Sequence, residues 1–423
     1  MKMVFELLFM ILQSLSVAII DVFYFMTAFV GFMTIFRFGQ FGVDREKSIK
    51  RARDLTIEYG VQGILIGALL SCVVVYLGMP VVYSEYLYFL LPLSFVLGFY
   101  HIRFTNLIYA ASMMALLGLA LNGQTIGGQV MPDIGINPSS LALVTGLLMI
   151  LIGLLMMITG TRNLMPIAAK DGERQVVGFA SQRFWPVPLV LLAALQVAVR
   201  GETVEMPNWW PALNLAIGDG ASVSLFLLPL LLIVSHGSVS FVQKPLDHIR
   251  FQYVQQIAGG VVLTVVGYFG SRLGHMEMMV TMSLLLVAAL PEVYWHYKEL
   301  ASPPSYTLED LGVTIIGVKK RSLASEYGFE IGDCIKSING TVVKDWGQLG
   351  RWAKVHEEAS QVQLLRLSRE YITIDLDHHN LTEVKFGLMP MLNKPEKFYH
   401  IEDINHMNMM HLMRFNRRKD DSA

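Results

Sequence analysis

Between Val4 and Tyr297 the sequence returns repeatedly to apolar runs about as long as a bilayer core is thick, and no other feature constrains the fold as strongly. A helix needs about 20 mostly apolar residues to cross the hydrocarbon. Candidate spans lie at 4–36, 59–79, 84–100, 104–122, 140–160, 185–200, 221–236, 257–274 and 277–297. The first is long enough for a tilted helix with an extension, or for a broken pair around Asp21. The runs at 84–100 and 185–200 are short and need flanking residues to complete a span. Apolar residues make up 53% of the chain and charged residues 16%, against about 25% charged in an ordinary soluble domain. That charge is thin from Leu55 to Tyr297 and normal after Lys298, which divides the chain into a polytopic part, 1–300, and a soluble part.

The N-terminus is expected to be an uncleaved anchor. Ser16-Val17-Ala18 resembles a small-x-small cleavage site, but the apolar run continues to Phe36, far beyond a signal core of about 7–15 residues. Lys and Arg are retained on the cytoplasmic side of a membrane. Arg37, Arg45, Lys47, Lys50, Arg51 and Arg53 follow the first span; Arg162, Lys170, Arg174 and Arg183 follow the fifth; Lys244 and Arg250 follow the seventh. Residues 80–83, 123–139 and 201–220 carry no base. Nine spans therefore place the N-terminus outside and the soluble part inside; ten would move only the N-terminus.

Within the bundle, Gly63-x-x-x-Gly67 reads as a close helix crossing. Glu6, Asp21, Glu85, His236, Glu277, Glu292 and His296 fall within or beside spans, mostly near ends where they reach the headgroups. Asp21 is the exception and the candidate for a functional intramembrane charge. Tyr294, Trp295, Tyr297 and Lys298 form an aromatic belt with a basic stop. Cys72 and Cys334 fit neither a disulfide framework nor a zinc site.

After a stiff linker, 301–305, the pattern changes to short strands and turns. Gly312 to Val318 reads as a buried strand, Ser322 to Tyr327 as a short helix ended by Gly328, and Cys334 to Ile338 as a second strand. Asn339-Gly340 is a two-residue hairpin turn into Thr341-Val342-Val343. Asp345 caps a helix to about Glu358, and Val362–Leu367 and Tyr371–Leu376 close the domain as a strand pair. The fold class expected is thus a multi-span α-helical membrane bundle followed by a small α+β domain at 306–380. The tail, 381–423, carries a candidate amphipathic helix at His400–Arg418 with a basic end, suited to a membrane surface or to solvent.

The run from Ser322 to Gly340, Ser-Leu-Ala-Ser-Glu-Tyr-Gly-Phe-Glu-Ile-Gly-Asp-Cys-Ile-Lys-Ser-Ile-Asn-Gly, resembles the signature of bacterial PDZ domains. The resemblance covers about 305–380, with Asp310 standing where many members have glycine. It implies β-augmentation, in which a peptide or C-terminal tail adds as a strand beside Val313, Thr314, Ile315 and Ile316. N–H groups around Leu311, Gly312 and Val313 would face its carboxylate. Leu349, Trp352 and Ala353 on the Asp345 helix would form the other wall, unless they serve only as core.

Catalytic chemistry finds no purchase. His356-Glu357-Glu358-Ala359-Ser360 lacks the second histidine of a zinc protease helix, and no phosphate-binding glycine loop precedes Lys-Ser/Thr. A trypsin-like triad needs a further domain. No catalytic residue, metal, cofactor or nucleic-acid site is expected, and no enzyme. The alternatives kept open are a PDZ-containing membrane protease or its regulator, and a transporter with a regulatory PDZ domain.

At the level of the whole chain, the long first anchor, the Arg45–Arg53 loop, the loop ending Gln182-Arg183-Phe184-Trp185 and the terminal PDZ-like segment resemble the MinJ-like family of Gram-positive bacteria. That resemblance implies a scaffold in the cell membrane, with its PDZ domain cytoplasmic and enriched at septum and poles. It would bridge DivIVA and MinD and so act in septum site selection during cell division.

Overall fold

The computed structural model describes residues 2–39, 45–121, 125–126, 129–130, 135–172, 174–195, 210–211, 224–243, 245–273, 276–302, 304, 312–318, 322–330, 332–343, 360–366, 370–376, 387–390 and 399–401. The first apolar run is a broken pair, α1 (Lys2–Ile20) and α2 (Val22–Gly39). Asp21 makes the break. Its carboxylate accepts the Phe23 N–H at 3.0 Å and its carbonyl accepts the Tyr24 N–H at 3.0 Å, which is what a helix N-cap does. Its side chain is exposed and capping accounts for it.

The chain continues through α3 (Arg45–Tyr76), β1 (Pro80–Val82), α4 (Leu90–Tyr100), α5 (Leu107–Leu121), the short pair β2 (Thr125–Ile126) and β3 (Gln129–Val130), and α6 (Pro138–Thr159). Asn137 caps α6, accepting the N–H groups of Ser139 and Ser140, with Pro138 in the first turn where its missing N–H costs nothing. Then come β4 (Leu164–Asp171), β5 (Arg174–Leu195), β6 (Ser224–Ser240), α7 (Pro245–Leu273) and α8 (Glu277–Ala301). Among the described residues, five helical stretches are long and apolar enough to cross a membrane: Val22–Gly39, Ser48–Tyr76, Pro138–Thr159, Leu246–Leu273 and Glu277–Glu299. Val4–Ile20, Glu85–Tyr100 and Leu107–Leu121 are shorter apolar helical stretches.

Two expected spans are not helices. The described parts of 185–200 and 221–236 belong to β5 and β6, an antiparallel pair running from Phe179↔Ser240 to Leu195↔Ser224. A short apolar run buried on both faces has no period that separates strand from helix. Pro186, Pro188 and Pro229 weigh against helix, because a proline inside a helix loses a hydrogen bond and clashes with the preceding turn; Pro291 inside α8 shows that a single proline is tolerated.

A sheet inside a helical bundle needs its edges covered, since lipid cannot satisfy backbone N–H and C=O groups. β5 is buried from Val176 to Ala194. One edge carries β6. The other is covered in three parts: β4 pairs with 174–181, β1 with 192–194, and α3 lies against the stretch between. There Pro186 and Pro188 have no N–H to strand, and the Val190 N–H donates to Ser71 Oγ at 2.8 Å.

Gly63 and Gly67 are therefore not a helix crossing. A Cβ on either would overlap the carbonyl of Pro186 or Pro188, so the pair marks the approach of α3 to a strand edge. The close helix crossing is α6 on α7, where a Cβ on Gly146 would lie 2.7 Å from the Gly260 carbonyl oxygen.

The C-terminal α+β domain comprises β7 (Val313–Val318), α9 (Leu323–Glu326), β8 (Cys334–Ile338), β9 (Thr341–Val342), β10 (Ser360–Leu365), β11 (Tyr371–Leu376) and β12 (Leu388–Pro390). Strand order is β11-β10-β8-β7-β12, with β9 also paired to β8. Asn339 and Gly340 turn with φ of 47° and 77°, the left-handed pair a tight hairpin requires. Val313, Ile315, Phe329, Ile335, Ile338, Val362, Leu364 and Leu376 form the core. The sheet extends to Pro390, beyond the boundary expected at 380. The helix expected from Asp345 to Glu358 lies outside the described residues.

The last described element is β13 (Tyr399–His400), parallel to Ala169 and Lys170 of β4. Ile401 packs on the main core of the membrane part. His400, expected to open an amphipathic helix, instead sits in this strand; residues 402–423 lie outside the described ones.

Candidate functional site

The strand predicted to receive a peptide is positioned by a glycine and an aspartate. Gly312, at φ 123°, leads into β7 so close to Cys334 Sγ and the Ile335 carbonyl that a Cβ would overlap both. Val313 and Thr314 register with Ile335 and Cys334 of β8. The Ile315 N–H donates to the Asp333 carbonyl, and the Ile315 carbonyl accepts the Gly332 N–H, each at 2.8 Å. Asp333 fixes this loop. Its buried carboxylate accepts the Glu330 N–H at 2.9 Å and faces Arg366 Nε at 3.6 Å, while Arg366 also donates to the Gly328 carbonyl at 2.8 Å. Burial raises the Asp333 pKa, opposed by the Glu330 N–H and the Arg366 charge.

Val313 and Ile315 are 2% and 0% exposed, so their side chains serve the core and only their backbone is available to a strand partner. Thr314 is buried as well. Ile316 lies on β7, and nothing of its side chain is described. The outer edge of β7 is occupied over its C-terminal half, where Ile315, Gly317 and Val318 register with Pro390, Met389 and Leu388 of β12. Leu311, Leu349, Trp352 and Ala353 lie outside the described residues.

A second constellation, in the membrane part, was not assembled from the sequence. His248, Gln252 and Gln256 on α7 are all at most 2% exposed. Ser238 Oγ lies 2.8 Å from His248 Nε2, Gln252 Nε2 contacts both, and Gln256 Nε2 lies 3.3 Å from His236 Nδ1. Arg183, the register partner of His236, donates to Thr159 Oγ1 at 2.7 Å and to the Gly160 carbonyl at 2.8 Å, closing the C-terminus of α6. Ser240 donates to Glu299 at 2.5 Å, and Glu292 accepts from Arg103 at 3.3 Å and from Tyr109 at 3.0 Å. The His248 ring stands 4.7 Å from that of Trp295.

These contacts tie the end of the β5–β6 hairpin to α6, α7 and α8. The signal that finds the α7 residues is their spacing, since polar side chains four apart share one helix face. Among the described residues no group of three His, Cys, Asp or Glu could hold a metal.

No family model matches the chain, and no curated protein matches it.

Proposed function

We propose that this chain is a non-enzymatic adaptor held in a membrane by its apolar helices, which offers a PDZ-like C-terminal domain to extended segments of partner proteins. The observation that carries this reading is the pairing of β12 with β7: the outer edge of β7 accepts an antiparallel strand contributed from elsewhere in the chain. Such an edge binds through main-chain N–H and C=O groups, the basis of strand addition. The Ser322–Gly340 run supports a PDZ-like reading: after β7 it forms a short helix, a strand and a tight turn.

The whole-chain resemblance to the MinJ-like family supplies the biological setting. On that reading the domain faces the cytoplasm, the partners are DivIVA and MinD, and the chain concentrates at septum and poles to direct septum placement. A bilayer anchor suits this role, because confining both partners to one surface raises their effective concentration. A fluorescent fusion in the native cell tests it. Enrichment at septa and poles, with misplaced septa on deletion, is expected. Uniform membrane fluorescence with normal septa overturns the division role, and an adaptor for other membrane partners is what remains.

A further inference from the structure

We infer that the outer edge of β7 is a strand-exchange site whose resident occupant is the chain's own segment around Leu388–Pro390, and that the partner fitting it is an extended peptide with apolar residues around a similar strand. The inference rests on the peptide-binding reading above and specifies where, and against what competitor, a peptide binds.

Four observations bear on exchange. β12 is three residues long, ends in a proline that has no N–H to give, and changes register between Met389 and Pro390. Among the described residues it is the last strand of its sheet, so its removal breaks no other pairing described there. Among the described side chains, the fully buried members of the domain core lie outside it, and Leu388 packs on that core only half-buried. β8, by contrast, holds β7 through the Val313 and Thr314 register and both bonds of Ile315. Loss of β12 thus leaves β7, β8, β10 and β11 joined as they are, with a backbone edge exposed at 316–318.

Displacement also has a consequence at a distance. Nine residues after Pro390 the chain pairs with β4 as β13, and an extended stretch of that length spans at most about 30 Å. The tail is therefore a strap between the sheet of the C-terminal domain and that of the membrane part. A peptide that takes β7 from β12 frees the domain end of the strap.

The test uses the full chain in lipid nanodiscs and a variant in which 384–392 are replaced by Gly-Ser residues of equal number. The probe is a fluorescent synthetic peptide of the natural sequence there, Val-Lys-Phe-Gly-Leu-Met-Pro-Met-Leu. Saturable binding to the variant is expected, at least about tenfold tighter than to the intact chain, whose tethered copy competes at high effective concentration. Hydrogen exchange at 316–318 is expected to be slow in the intact chain, fast in the variant, and slow again with the peptide. Equal binding to both proteins overturns the inference, as does no binding to a variant whose β8 and β10 amides stay protected. Loss of that β8 and β10 protection overturns it too, because β12 is then an integral strand. None of these results alters localisation of the intact chain, so the adaptor reading stands or falls separately.

Discussion

Gly63 of α3 meets the carbonyl of Pro186 in β5 so closely that a single added methyl group would overlap it. The contact repeats: Gly67 meets Pro188, and Ser71 receives the N–H of Val190. The repeat is a matter of pitch. Four helical residues rise about 6 Å, and two strand residues rise about 6.6 Å. A helix with small residues every fourth position therefore stays in step with a strand edge whose outward carbonyls come every second residue.

Substituting Gly63 or Gly67 by alanine should lower stability by about 1–3 kcal/mol, because the added carbon meets backbone that cannot rotate aside. Gly118→Ala is the control. The nearest atoms to a Cβ there are 3.8 and 4.0 Å away, and its effect should stay within about 0.5 kcal/mol. Thermal midpoints in detergent compare the three.

Ser71→Ala deletes the acceptor of the Val190 N–H in a site where Ser71 is fully buried. An orphaned buried donor costs about 1–3 kcal/mol. Ser71→Thr, which keeps the hydroxyl, should lose less in the same midpoint measurement. Equal losses would mean that space, not the hydrogen bond, governs the position.

Arg183 bonds both Thr159 Oγ1 and the Gly160 carbonyl, a fork that a lysine cannot reproduce. Arg183→Lys should therefore destabilise the protein by about 1.5–3 kcal/mol. Faster hydrogen exchange should appear first in the last turn of α6, where those acceptors lie.

The C-terminal domain should respond to pH through Asp333. Its folded pKa is raised above the ordinary 3.8 by burial, with Arg366 and the Glu330 N–H acting the other way. The folded state thus binds the proton more tightly than the unfolded one, and stability falls as pH climbs from about 4 through the raised value, then levels off. Asp333→Asn should flatten this dependence. Exchange of β8 and β10 amides, corrected for intrinsic rates, reads it directly.

Much of this architecture is legible in residue patterns. The helix break at Asp21 follows from a short polar side chain able to cap what comes after it. β7, α9, β8 and the Asn339-Gly340 turn follow from β-branched runs bounded by residues that tolerate positive φ. The β5–β6 hairpin is harder, because Val187 to Leu195 is apolar at every position but Pro188 and satisfies helix and strand alike. Its three prolines weigh against helix, though α8 holds Pro291 within a helix. Gly63 and Gly67 announce a close approach but not its partner, which lies more than a hundred residues away.

At the candidate site, β7 is legible because six residues suffice to show a buried strand. β12 is not, since Leu388-Met389-Pro390 is too short for any period and its pairing depends on a strand far earlier in the chain. His248, Gln252 and Gln256 share one face of a mostly apolar helix, a sign that the face is buried against polar groups. Those groups, Ser238 and His236, come from a strand that sequence patterning reads as a helix.

The two tail strands also have a mechanical consequence. The C-terminal domain is tied to the membrane part at one end through α8 and at the other through β12 and β13. A tether of finite length bounds how far the domain can travel, and two bound it more tightly than one.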